Sequence, residues 1–178
     1  MRKGKGFTLI ELLIVITLLG ILAVAVLSAI NPIEQINRSR DTSSRSDSEQ
    51  LINAIDRYYA TSGYYPWKDS SDETFFPAPQ TFTPVNDDWV DTQAVSVLAK
   101  LTAEGTAEVK ESFTNRIKGS ATPLHVYNMG GQGDSTYVCF VPRSAAFLKE
   151  AEDRCGASLP ADYPVDDVCG ETIYSCLP

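Results

Sequence analysis

The sequence predicts an α+β fold: a long N-terminal helix, membrane-spanning in its first half and amphipathic in its second, packed on a small antiparallel β-sheet head. Three observations carry that expectation. Phe7 to Ile30 is apolar apart from Thr8, Glu11, Thr17, Gly20 and Ser28, and about 20 such residues cross a bilayer as a helix. Leu51, Ala54, Ile55, Tyr58 and Tyr59 then recur at helical spacing, which turns one stripe toward a core. Short strand-like runs separated by glycine turns follow near the C-terminal end, the order of a helix followed by a sheet.

The apolar run begins abruptly. Arg2, Lys3 and Lys5 form a basic stretch without an acid, and Gly6 stands directly against Phe7. Basic residues beside a spanning segment stay on the cytoplasmic side, which places everything after Ile30 outside. A secretory signal peptide would have a shorter apolar stretch and a small-residue cleavage site. Ala23-Val24-Ala25 imitates such a site, but the run is too long and contains an acid. That acid, Glu11, costs roughly 2.5 to 3.5 kcal/mol inside hydrocarbon even on lenient insertion scales, so it is a candidate functional residue in want of a partner. The competing reading is that Glu11, close to the helix start, snorkels to the headgroups.

Gly6, Phe7, Thr8, Leu9, Ile10 and Glu11, followed by Leu12-Leu13-Ile14-Val15-Ile16, resemble the type IV pilin and pseudopilin superfamily, whose precursors carry a basic leader ending in Gly before Phe-Thr-Leu-Ile-Glu and an apolar helix. The resemblance implies that a membrane-embedded prepilin peptidase cuts between Gly6 and Phe7, that the new amino group of Phe7 is N-methylated, and that Glu11 is the assembly acid. It covers roughly the first third of the chain. Cleavage creates a positive amino group at Phe7, and methylation leaves it able to stay charged. In a bundle of such helices that cation would meet Glu11 of a neighbour, where an unpaired charge is heavily penalised. The implied partners are other copies of the chain through the N-terminal helices, the peptidase and methylase, the pilus assembly machinery, and the membrane before assembly.

Four segments follow from this reading: a leader at 1–6, a transmembrane and assembly helix at 7–30, the amphipathic half of the long helix at 31–60, and an α+β head at 61–178. Taken as one element from Phe7 to about Ala60, the helix would be roughly 80 Å long at 1.5 Å per residue. Pro32 lacks an N–H, so a kink is expected there. Ser62-Gly63 should end the helix, because Gly accepts a left-handed cap and Pro66 follows closely. Gly63-Tyr64-Tyr65-Pro66 resembles the Gly-x-Tyr-Pro turn that often closes this helix in the same superfamily. The aromatic group Tyr58, Tyr59, Tyr64, Tyr65 and Trp67 is read as core packing rather than as a surface for adhesion or charge transport.

Lys68 to Asp91 is rich in Pro, Ser, Thr and Asp and reads as a long irregular loop. Ala94, Val95, Leu98 and Leu101 suggest a short amphipathic helix that continues irregularly through Glu108 to Ile117. Leu124–Asn128 and Ser135–Val141 flank Gly130-Gly131-Gln132-Gly133-Asp134 as a strand hairpin, and Thr172–Cys176 is a candidate last strand. The glycine-rich tip has no following Gly-Lys-Ser/Thr and is a turn rather than a phosphate cradle.

Cys139, Cys155, Cys169 and Cys176 make an even count in an exported head, which points to disulfides. Zinc is the competitor, but there is no Cys-x-x-Cys and the one histidine, His125, is not at finger spacing. Three pairings exist; Cys139–Cys176 with Cys155–Cys169 is preferred, since the inner pair closes one loop and the outer pair staples two strands. Asp162, Asp166, Asp167 and Glu171 are calcium candidates because that ion takes several loop oxygens. Their spacing fits no metal motif, so solvated surface charge is the default and no cofactor is expected. Asn37-Arg38-Ser39 has the form of a glycosylation sequon inside a presumed helix and receives no weight.

The formal charge is −8, and loss of the leader with Arg2, Lys3 and Lys5 would make it more negative still. Such a surface repels nucleic acid unless basic groups cluster locally. Catalysis has little support: one histidine has no Gly-x-Ser-x-Gly or His-Glu-x-x-His around it, and no enzyme is expected. The leading reading is a structural subunit of an extracellular pilus-like filament, first a single-pass membrane protein and then part of the cell surface. The alternatives are a pseudopilin of a type II secretion or DNA-uptake machine and, more remotely, a membrane-anchored binding domain that never polymerises.

Overall fold

The computed structural model describes residues 6–29, 31–69, 77–103, 107–120 and 122–178. The basic residues Arg2, Lys3 and Lys5, the middle of the Lys68–Asp91 segment and part of the stretch leading to Glu108 lie outside the described residues. The chain divides into two compact units, Met1–Ile36 and Asn37–Pro178.

In the first unit the helix α1 runs over Leu9–Ala29. Its large apolar side chains are exposed from Phe7 to Leu27, and Leu9–Ser28 is long and apolar enough to cross a membrane, with a mean hydropathy of 2.9. The single kinked helix expected from Phe7 to about Ala60 is corrected here. A second helix, α2, starts at Pro32 and runs Pro32–Ser62. Pro32 occupies the first turn, where its missing N–H costs nothing, and the side chain of Asn31 accepts from the Glu34 N–H at 3.3 Å as a cap. Asn31-Pro32 is therefore a helix start.

In the second unit, α2 presents Leu51, Ile52, Ala54, Ile55 and Tyr58 as a buried stripe. The helix stops where Gly63 takes φ of +81° and donates its N–H to the Tyr59 carbonyl at 2.8 Å, a conformation that Gly adopts without Cβ strain. Four strands, β1 (Gln80–Pro84), β2 (His125–Asn128), β3 (Thr136–Phe140) and β4 (Ser175–Leu177), form one sheet in sequence order. Every neighbouring pair is antiparallel, with Val126 opposite Val138 and Cys139 opposite Cys176.

The strand alternation divides the core in two. Val126, Val138 and Phe140 face Leu51, Ile55, Trp89, Leu101 and Phe113 in the larger cluster. Tyr137, Cys139 and Cys176 face Tyr163 and Val168 in the smaller one. β3 is buried along its whole length for this reason. Tyr59, Tyr65 and Trp67 stack in series, and the Trp67 indole N–H donates to the Ala78 carbonyl. These aromatic rings pack together.

Several expectations shift. The Pro-rich segment contains β1, an edge strand with a register irregularity between Gln80 and Thr83; Pro84 is tolerated because it ends an edge strand. The helix at Ala94 begins later, as α3 (Val97–Thr102) capped by Ser96, since Ala94 has a positive φ of 60°. α4 (Glu111–Lys118) is a separate helix. The last strand is Ser175–Leu177 rather than Thr172–Cys176, and two helices not expected from the sequence, α5 (Ala145–Cys155) and α6 (Val165–Val168), precede it.

Candidate assembly and processing site

At the start of α1, Thr8 and Glu11 hold each other. The Glu11 carboxylate accepts the Thr8 N–H at 2.8 Å and the Thr8 hydroxyl at 2.7 Å. The Glu11 N–H returns to the Thr8 hydroxyl oxygen at 3.3 Å. This reciprocal arrangement is a capping box: two helix-start donors find partners, and the acid stands near the positive end of the helix dipole. The Thr-x-x-Glu spacing carried the signal, and the sequence reading missed it. Glu11 therefore has a partner within its own chain.

Just ahead of this cap, Gly6 and Phe7 lie outside regular structure. Phe7 is 84% exposed and nothing stands within 4 Å of where a Cβ on Gly6 would be. The junction between them is open on its Gly6 side.

Farther along, Cys139 is bonded to Cys176 across β3 and β4, and Cys155 to Cys169 between the ends of α5 and α6. The structure does not bring Asp162, Asp166, Asp167 and Glu171 into one ligand set. Among the described residues no group of three or more His, Cys, Asp or Glu side chains is placed to hold a metal. Asp162 instead accepts the Ser135 N–H at 2.7 Å and the Tyr137 hydroxyl at 3.1 Å. Burial opposes its charge, and these donors together with its own backbone N–H and the Ser135 hydroxyl outweigh burial and hold its carboxyl below the usual range. Asp166 and Asp167 lie in the first turn of α6, and all three of Asp166, Asp167 and Glu171 are exposed.

His125 stacks on Phe82 with centroids 4.7 Å apart and meets Tyr174 edge-on. Burial lowers its pKa. It is an aromatic packing residue on the face of β2. The glycine tip is a turn between β2 and β3, with Gly130 and Gly133 at positive φ.

Residues 1–27 match a family described as the prokaryotic N-terminal methylation motif. The chain is 34% identical over 86 residues to the type II secretion system core protein G of Vibrio cholerae serotype O1, a stretch covering 48% of this chain and 58% of that protein. The chain thus spans somewhat over half the length of the curated relative it matches. No solved structure matches it. With the methylation motif at residues 1–27, the similarity to a core secretion protein and an apolar helix ahead of an α+β head in the sequence, the chain is similar to the type IV pilins and pseudopilins.

Proposed function

We propose that the chain is a structural subunit of a type IV pilus-like extracellular filament, assembled from the inner membrane after cleavage between Gly6 and Phe7. The single observation that carries this reading is the junction itself: an exposed Gly6-Phe7 step stands immediately before a Thr8–Glu11 cap and an uncovered apolar helix. Such a helix needs either lipid or other helices around it. In lipid it anchors the precursor, and in a filament its neighbours are other copies.

Cleavage leaves Phe7 with a new amino group, which methylation keeps charged. Glu11 then pairs with that cation on a neighbouring subunit, and the pairing sets the register between copies. Since Thr8 already satisfies part of the Glu11 carboxylate, the acid reaches the neighbour pre-oriented. The partners are the peptidase and methylase, the assembly machinery and further copies of the chain, and the role is structural rather than catalytic. The head lies on the outer side of the membrane and then at the cell surface.

A second reading is favoured by one observation, the similarity to a core protein of a type II secretion system: a pseudopilin working within a secretion machine. Both readings share the leader chemistry and differ in where the filament ends. N-terminal sequencing and mass spectrometry of the mature protein should give Phe7 with a methylated amine; an intact Met1 would refute both. Electron microscopy of sheared surface filaments, with identification of their subunits, then separates them. Abundant copies in long surface fibres support the pilus subunit, and absence from such fibres supports the secretion role.

A further inference from the structure

One pocket in the second unit gathers arginines from three elements. Arg40, Ser44 and Asp47 stand at i, i+4 and i+7 along α2 and so share a face. Arg116 comes from α4, and Arg143 from the segment just before α5. The cavity measures about 340 Å³, at the small end of ligand sites.

Its charges do not cancel internally. The Asp47 carboxylate is taken by Arg116 in a two-pronged pair at 2.8 and 3.1 Å. The Arg143 guanidinium gives one hydrogen bond, to the Thr122 hydroxyl at 2.9 Å, while its backbone N–H is fixed by Asp41. Among the described residues, Arg40 has no hydrogen bond or ion pair, and the Ser39 and Ser44 hydroxyls that also line the cavity have no partner. A chain of net charge −8 thus keeps a local excess of positive charge and unused donors in one concavity.

We propose that this pocket binds a phosphate or sulfate group, with Arg40 and Arg143 as its principal clamps and the Ser39 and Ser44 hydroxyls as further donors. Guanidinium forks match tetrahedral oxyanions and donate more than one bond each. Donors arriving from separate elements suit an anion with three or more acceptor oxygens better than a planar carboxylate. Arg116, held by Asp47 and lying over the Phe113 ring at 5.5 Å, contributes charge at the wall. The group is either a free anion or the terminal ester of a larger molecule such as a phosphorylated glycan.

The test is calorimetric titration of the full chain in detergent micelles, at fixed ionic strength, with inorganic phosphate, inorganic sulfate and glucose 6-phosphate. One saturable site is expected, weakened about tenfold in Arg40→Gln by loss of a charge-assisted contact. Arg57→Gln, outside this pocket, should bind as the parent does. Because Arg40 makes no hydrogen bond or ion pair among the described residues and is exposed, Arg40→Gln should melt like the parent, so its lost binding is not unfolding. Equal affinity for phosphate and glucose 6-phosphate assigns a free anion, and tighter binding of glucose 6-phosphate assigns an ester; both keep the site. The absence of saturable binding by all three probes, or unchanged affinity in Arg40→Gln, overturns it.

Discussion

The Asp41 carboxylate on α2 accepts the hydroxyl of Ser144, 103 residues further along the chain, at 2.6 Å. The same carboxylate takes the backbone N–H of Ser144 at 2.7 Å and that of Arg143 at 3.0 Å. Ser144 in turn accepts the Phe147 N–H and caps α5. Both residues are buried, so one acid on the N-terminal side of α2 fixes the start of a distant helix and the backbone that carries Arg143.

Asp41→Ala would strand two backbone N–H groups and a hydroxyl, each costing about 1 to 3 kcal/mol if left unmet. Local relaxation admits some water, so we expect a net loss of about 3 kcal/mol. The melting temperature of the full chain in detergent should then fall by roughly 10 °C. Asp41→Asn keeps the shape without the charge and should lose about half as much. An Asp41→Ala protein that melts within about 2 °C of the parent would show that these contacts carry no stability.

Glu11→Gln separates the two roles placed on that side chain. Gln keeps the capping-box geometry, so helix content and membrane insertion should stay as in the parent. It lacks the charge that the proposed assembly pairs with the amino group of Phe7, so filament yield should fall at least tenfold. Glu11→Val should assemble as poorly and also lose the cap. Sheared-filament yield set against membrane fractionation reads both, and normal fibres from Glu11→Gln would remove charge pairing from the account.

The parts legible in the sequence were those with a local physical signature. The apolar run, the Gly63 stop and the β2–β3 hairpin each depend on neighbouring residues, and each stands within a few positions of where it was expected. β1 was hidden because prolines mark loops, yet an edge strand needs partners on one side only. α5 gave no periodic signal, since Ala151 is its one buried residue among those described; Ser144 was the available clue, as a cap. Arg40, Arg116 and Arg143 come from unrelated stretches, and only the fold shows that they meet.

The two disulfides should differ in what they contribute. Cys139–Cys176 closes a loop with a separation of 37 residues and Cys155–Cys169 one of 14. On chain entropy alone the first is worth about 4 kcal/mol and the second about 3. Cys139 and Cys176 are also fully buried, so the double serine variant of that pair places two hydroxyls in the core and loses more. Thermal unfolding of the two double variants should rank them in that order, and a greater loss for Cys155/Cys169 would reverse the assignment.

Acid should loosen the second unit through Asp91. Burial opposes its charge, but the Lys100 ammonium at 2.5 Å and the N–H groups of Val95 and Gln93 outweigh burial and hold its carboxyl below the ordinary range. A carboxyl that binds its proton more weakly when folded adds stability that is complete above its unfolded value of about 3.9 and is lost as pH falls through the folded value. Melting temperature should therefore drop below about pH 4. Asp91→Asn should be less stable at neutral pH and fall less steeply in acid. Parallel pH profiles for parent and variant would exclude Asp91 as a contributor.

Gly130 is the position where the hairpin meets β1. It has φ of +99°, and a Cβ there would lie 2.5 Å from the backbone nitrogen of Pro79. Its carbonyl accepts the Ala78 N–H at 2.9 Å, and its own N–H donates to the Asn128 side chain at 2.8 Å. Gly130→Ala therefore adds left-handed strain of about 1 kcal/mol and a clash with backbone that cannot rotate away. Relief requires Pro79 to move, which pulls on the Trp67 bond to Ala78. We expect a loss of about 3 kcal/mol with a shift in tryptophan fluorescence. Gly133→Ala shares the positive φ, but nothing stands within 4 Å of its added Cβ, so it should cost only the backbone strain, about 1 kcal/mol. Equal losses at the two glycines would show that the contact with Pro79 does not constrain the hairpin.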